Sequence, residues 1–266
     1  MGEVHLAEPP GESNEYRREP RGVAAIIPPW NFPLAILTGM TAAALVTGNT
    51  AVLKPAGPSP IVAYKLVELL RHAGTPPEAV QFLPGSGGTV GQGLVDHPLV
   101  STIAFTGSNA VGLGIMARAA VVHPGQRSIK RVIAELGGKN AIVIDEDADL
   151  DLAVADSVAS AFGYAGQKCS ACSRLVIVGR AYQPALDRLR GAVASLQVGP
   201  PHEPQTFVPP VITAAARDRI EGYAAQGERT AAQLVQGRAP DAAGHYVAPR
   251  VFTGVPLDAP LARDEI

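Results

Sequence analysis

The sequence predicts an α/β fold of the doubly wound kind, a parallel sheet with helices on both faces, followed by a second α/β segment. Two patterns carry this prediction. From Arg21 onward, short apolar runs of strand length alternate with alanine-rich segments of helical length, the arrangement that builds parallel sheets through crossover helices. The first such run, GVAAIIP at 22–28, is apolar throughout, as a strand buried on both faces must be. The composition allows it: 47% of the 266 residues are hydrophobic and 17% charged, enough for a large core and too apolar for disorder.

In chain order, residues 1–20 read as an extended lead-in, polar and rich in proline. After the strand at 22–28 comes a helix over 34–46, with Pro33 tolerated at its first turn. TAVLK (50–54) is the next strand and 60–73 the next helix. VQFL (80–83), a helix over 89–96, TIAFT (102–106) and a helix over 109–122 continue the alternation, and KRVIAEL (130–136) and NAIVID (140–145) are strand-like. A second block begins near Gly137. It holds a helix over 150–165, a glycine-bounded loop at 166–173, the strand RLVIV (174–178) and a helix over 182–196. A proline-rich loop at 199–210, a helix over 213–225 and strands near 233–235 and 246–252 complete it.

Charge and cysteine usage exclude several function classes. With 22 basic and 24 acidic residues the net charge is −2, so there is no basic excess to neutralise nucleic-acid phosphates. The stretch 33–53 comes closest to a membrane span, but it carries four threonines, two glycines and an asparagine. The polar, proline-rich beginning is not a secretory signal. Two cysteines make no disulfide framework, and the expectation is a reduced, cytoplasmic protein.

Four segments carry candidate chemistry. GQKCSACSR (166–174) holds both cysteines, Cys169 and Cys172. A zinc site needs about four ligands, and neither a second cysteine pair nor suitably spaced histidines exist, so no metal is expected. A thioredoxin-like pair would open a helix after an early strand, whereas this one lies between a helix and a strand. A nucleophilic cysteine among small residues fits better, beside the plainer reading of two structural thiols. ELGGKN (135–140) puts Glu135 at a strand end before two glycines, where a general base or a merely solvated carboxylate would sit. PPWNFP (28–33) holds Trp30, the single tryptophan, and Asn31, whose amide suits a developing oxyanion, in what is otherwise a proline-fixed turn. FTGSNAVG (105–112) passes from strand to helix, so Gly107 and Ser108 can present donors to a pyrophosphate. Lys54 ends another strand, placed for a ribose or phosphate or simply exposed.

Taken in order, PWNFP, KPA, FTGS-x-x-VG, ELGGKN and GQ-x-C make the chain resemble the aldehyde dehydrogenase superfamily. GQKCSACSR and the stretch from Pro124 to Ala153 are most similar to its L-glutamate γ-semialdehyde (pyrroline-5-carboxylate) dehydrogenases, which act in proline catabolism. The resemblance implies a Rossmann-like dinucleotide-binding domain over 21–136 and part of an α/β catalytic domain over 137–266. It implies NAD, or NADP, as cofactor, a small aldehyde as substrate and a homo-oligomeric parent enzyme. Residue by residue it makes Cys169 the nucleophile, Glu135 the general base and Asn31 the oxyanion donor. Lys54, Trp30, Gly107, Ser108 and Gly112 fall in the cofactor-binding segments, Glu265 matches a glutamate on the nicotinamide ribose, and Ser170 a serine on the substrate carboxylate. Cys172 falls where the motif needs no cysteine, and Gly57 stands where many members carry an acidic ribose contact. The match runs from about Arg21 to Ile266, so the chain reads as a central fragment of such an enzyme. Two other readings stand beside this one, an inactive dinucleotide-binding fragment and an aldehyde dehydrogenase of another substrate, including a coenzyme A-acylating one.

Overall fold

The computed structural model describes residues 9–16, 19–240 and 243–266. The chain divides into two compact units, one ending at Leu136 and the other running from Gly137 to Ile266. Of the lead-in, residues 1–8 and 17–18 lie outside the described residues, and 9–16 hold one turn and no helix or strand.

The first unit is built on five parallel strands, β1 (Val23–Ile27), β2 (Thr50–Leu53), β3 (Val80–Phe82), β4 (Val100–Gly107) and β5 (Arg131–Leu136), in the order β3-β2-β1-β4-β5. Four helices connect them: α1 (Ala35–Val46), α2 (Pro60–His72), α3 (Gln92–Asp96) and α4 (Asn109–Ala119). The all-apolar β1 explains the layering, since successive side chains point to opposite faces. Ala24 and Ile26 pack with Leu37 of α1 and Ala63, Leu66 and Val67 of α2. Ala25 and Ile27 pack on the other face with Leu94 and Val95 of α3 and Ile115 and Ala119 of α4. Both faces are covered, as the doubly wound class requires. The order reverses at β1, whose neighbours β2 and β4 leave in opposite directions, and that switch opens a crevice at the carboxyl ends of the strands.

The helix expected over 89–96 is shorter and begins differently. Gly87–Gly91 forms one wide π-type turn, capped by Ser86 Oγ accepting from the Thr89 N–H at 3.1 Å, and only then does α3 begin. The glycines there lower helix propensity, so a local cap decides the geometry. Likewise α4 stops at Ala119 rather than Val122, ahead of the turn at Pro124-Gly125. Within α4, Gly112 lets the helix lie close against the sheet: a Cβ there would overlap a Leu136 methyl and stand 3.3 Å from the Phe105 ring. Gly112→Val is expected to lower stability by about 1–3 kcal/mol through overpacking, read as an earlier midpoint in urea. An unchanged midpoint would show that α4 does not need this approach.

The second unit pairs β6 (Asn140–Ile144) with β7 (Cys172–Ile177) in parallel, and β8 (Ala232–Gln236) with β9 (Arg250–Thr253) antiparallel. Its helices are α5 (Leu150–Phe162), α6 (Tyr182–Ala194), α7 (Ala214–Thr230) and the short α8 (Pro260–Arg263). Val154 and Val158 of α5 meet Ala185, Leu189 and Val193 of α6 in the core, with Leu175 and Ile177 of β7 against them. Asp149 starts α5 by accepting from the Asp151 and Leu152 N–H groups, and Thr213 caps α7 in the same way. Four expectations are corrected here. Helix α5 ends at Phe162 rather than 165, because Gly163 leaves helical geometry and the chain turns. Strand β7 begins two residues early, at Cys172, where it pairs with Asn140. Helix α7 runs on to Thr230 rather than ending at 225, and the strand expected from 246 begins only after Pro249. Among the described residues no helix is long and apolar enough to cross a membrane.

Candidate active site

In the first unit the singled-out residues gather at one edge of the sheet. Trp30 and Asn31 follow β1 and are half-buried, Lys54 follows β2, Gly107 ends β4, and Glu135 is the penultimate residue of β5, opposite Thr106 of β4. These are the carboxyl ends on both sides of the switch at β1, where open parallel sheets take their ligands. Ser108 is the N-cap residue of α4, yet its hydroxyl makes no capping bond, so the first N–H groups of the helix are not closed off by that side chain. An uncapped N-terminus of an eleven-residue helix at a strand end suits the pyrophosphate of a dinucleotide. Lys54 is buried. Its ammonium donates to the carbonyls of Pro55 at 3.0 Å and Gly85 at 3.4 Å, and its stem passes over Gly91. Burial holds its pKa below the ordinary lysine value. Glu135 is exposed, with its carboxylate open to solvent on the strand.

In the second unit the two cysteines part company. Cys172 is buried; its N–H donates to Ser160 Oγ at 3.0 Å, its thiol contacts the Arg174 carbonyl at 3.3 Å, and desolvation pushes that thiol's pKa up. It is a packed, protonated thiol. Cys169 is exposed, on a turn closed by the Ala171 N–H on the Lys168 carbonyl at 3.0 Å. The approach to that turn is unusual. Tyr164 (φ 60°), Ala165 (φ 56°) and Gly166 (φ 69°) are successively left-handed, and the two residues with side chains cost roughly 1–3 kcal/mol each. The glutamine of the motif fastens the turn. Gln167 donates from its amide to the Tyr164 carbonyl at 3.2 Å and accepts from the Ile212 N–H at 2.9 Å.

A count of backbone donors shows what this turn offers. The N–H groups of Gln167, Lys168 and Ala171 go to the carbonyls of Tyr164, Gly166 and Lys168, and that of Cys172 to Ser160. Those of Cys169 and Ser170 have no protein acceptor among the described residues. The exposed thiol is thus flanked by two unspent donors, a suitable seat for an oxyanion or a carboxylate.

Glu265 lies in the same unit, its carboxylate directly over Gly137, where any Cβ would collide with it. Helix α7 holds this segment: Arg219 donates to the Glu265 carbonyl at 3.1 Å, and Tyr223 to the Asp264 carboxylate at 2.9 Å. Half-buried Lys139 feels both acids. Its pKa lies below the ordinary lysine value, through burial first and Arg174 second, with Asp264 and Glu265 opposing. Sequence reasoning missed Asn140, which closes the ELGGKN motif. Its amide donates to the carbonyls of Cys169 at 2.6 Å and Ala171 at 3.1 Å. Its place in the motif was a signal, but its partners lie 29 and 31 residues downstream.

The model of the aldehyde dehydrogenase family matches residues 1–266. The chain is 50% identical to the 1-pyrroline-5-carboxylate dehydrogenase of Geobacillus kaustophilus over 257 residues, which is 97% of this chain and 50% of that protein. Among solved structures it is similar to the 1-pyrroline-5-carboxylate dehydrogenase from Thermus with bound NAD. There the TM-score is 0.94 at 43% identity, over 98% of this chain and 51% of that one. Proline utilization A from Bdellovibrio bacteriovorus aligns with a TM-score of 0.89 at 50% identity, over 91% of this chain and 25% of that one. The chain spans about half the length of the curated relatives it matches.

Proposed function

This chain belongs to the aldehyde dehydrogenase family, and from that premise we propose that the whole protein oxidises L-glutamate γ-semialdehyde to L-glutamate with NAD. The observation that carries the reading is the Cys169 turn: an exposed thiol beside two unspent N–H donors, within a motif matched in order with four others. The named relatives support the substrate, since those from Geobacillus kaustophilus and Thermus are 1-pyrroline-5-carboxylate dehydrogenases. A cytoplasmic homo-oligomer completes the reading, on the family resemblance alone.

The residues divide the work as follows. The thiolate of a cysteine, not the thiol, is the attacking form. Cys169 attacks the aldehyde carbon and gives a thiohemiacetal, whose oxyanion takes a hydrogen bond from the Cys169 N–H; the family resemblance assigns the Asn31 amide as a second donor. One such donor contributes about 3 kcal/mol. Ser170 holds the far carboxylate of the substrate. NAD, when bound, supplies the hydride acceptor that converts the thiohemiacetal to a thioester. The residues present fit that cofactor: Ser108 and the open end of α4 would hold its pyrophosphate, Lys54 and Glu265 its riboses. Glu135 takes a proton from water, the hydroxide attacks the thioester carbonyl, and the Cys169 thiolate leaves.

The direct test mixes the full-length protein with the semialdehyde and NAD and follows NADH together with glutamate. Equal yields of the two are expected. No NADH, with NAD still bound, would sink the substrate assignment.

Lys54 gives a second test. Its pKa is lower in the folded chain than in the unfolded one, so the folded state binds fewer protons between those two values. Stability from this group therefore rises with pH across that window, and at neutral pH its buried charge is a cost. Lys54→Met is expected to leave stability equal or higher while weakening NAD binding by roughly 10- to 100-fold, the loss of one charged hydrogen bond. Calorimetric titration with NAD beside thermal melting checks both. Unchanged affinity would make Lys54 purely structural.

A further inference from the structure

Asn140 opens β6, and both N–H bonds of its side-chain amide are committed to the turn that carries Cys169. The partners are carbonyl oxygens, which only accept, so the nitrogen of the amide has to face them. The two carbonyls belong to Cys169 and Ala171, on either side of Ser170. A peptide unit is planar and trans, so holding the Cys169 carbonyl fixes the plane of the Cys169–Ser170 peptide and turns the Ser170 N–H the opposite way. That N–H is one of the two unspent donors. Holding the Ala171 carbonyl fixes the next plane but one, whose N–H is anchored on Ser160 at 3.0 Å. One amide and one hydroxyl thus define the turn downstream of the thiol, as the left-handed run and Gln167 define it upstream.

We infer that Asn140 is a positioning residue: its amide sets the Cys169–Ser170 peptide, and so keeps the thiol and the two N–H groups beside it in one arrangement through turnover. It acts through the backbone and touches no reacting atom. The inference rests on reading Cys169 as the nucleophile.

Three variants of the full-length protein test it. Asn140→Asp keeps the shape but sets an acceptor against two carbonyls, Asn140→Ala removes both donors, and Asn140→Ser keeps one. Single-turnover NADH formation from the semialdehyde is expected to slow roughly 10- to 100-fold in the Asp and Ala variants, the scale of a small misplacement of reacting groups. The Ser variant should fall between them and the natural protein, and NAD affinity should hold in all three. A natural rate in the Asp variant would overturn the inference. So would loss of NAD binding in step with turnover in both the Asp and Ser variants, which would mark a general scaffold role. Cys169→Ala run alongside separates the underlying reading. If it still forms NADH, the nucleophile assignment fails and takes this inference with it.

Discussion

Alanine in place of Cys169 is expected to abolish aldehyde oxidation and leave NAD binding intact. Loss of a covalent nucleophile removes a whole reaction route, so the fall in turnover should reach roughly 10⁴-fold or more. The thiol is exposed on a turn, so its removal leaves no cavity in the core. The uncapped N-terminus of α4 and the Lys54 carbonyl cradle lie in the other unit and keep their geometry. Cys172→Ala is the matched control. That thiol is buried and its pKa is raised by desolvation, which makes it the poorer nucleophile at neutral pH. It should retain turnover close to the natural rate. The reverse outcome, activity lost with Cys172 and kept without Cys169, would move the chemistry to the other cysteine.

Glutamine at position 135 should stop the reaction half-way. Glutamine has nearly the same shape and still hydrogen-bonds water, but it takes no proton. In the proposed route, thioester formation does not use this group and hydrolysis does. The Glu135→Gln protein is therefore expected to release a single NADH per site and then stall, with the glutamyl group held on Cys169 and visible by intact-protein mass spectrometry. Subsequent turnover should be slower by roughly 10²- to 10⁴-fold, the usual contribution of a positioned base. Glu135 is exposed, so water reaches its carboxylate. Adding coenzyme A discriminates the rival chemistry. If the thiol restores turnover to the natural rate, transfer rather than hydrolysis is the native second step. Undiminished multiple turnover without it would remove Glu135 from the mechanism.

The parallel sheet was legible because its strands are short, apolar and separated by helical lengths, and β1 alone specifies two covered faces through Ala24, Ala25, Ile26 and Ile27. The ends of elements were not. Nothing in an alanine-rich run such as 159–165 says where the helix stops; Gly163 and the left-handed residues after it decide that through local backbone geometry. The helix expected from 89 begins only at Gln92, after a wide turn over 87–91, because the deciding group there is the Ser86 hydroxyl. The short α8 was missed because four residues carry no periodicity. Candidate site residues could be singled out where motif and strand end coincide, as at Lys54, Gly107 and Glu135. The role of Asn140 was not legible from its place in the motif alone. Its signal lies in contacts about thirty residues away, which only the pairing of β6 with β7 brings together.

The left-handed run at Tyr164–Gly166 also bears on how such a protein adapts. Glycine at Ala165 would relieve strain, and a screen for heat tolerance would accept it early. Yet the Tyr164 carbonyl that receives both the backbone and the side-chain N–H of Gln167 is set by that same distorted backbone. Glycine at 165 keeps that backbone while removing the Cβ penalty, so the substitution adds stability without unseating Gln167. Heat tolerance gained at Ala165 therefore leaves the seat of Gln167 in place, whereas a change that lets Tyr164 relax its backbone moves the carbonyl on which that side chain rests.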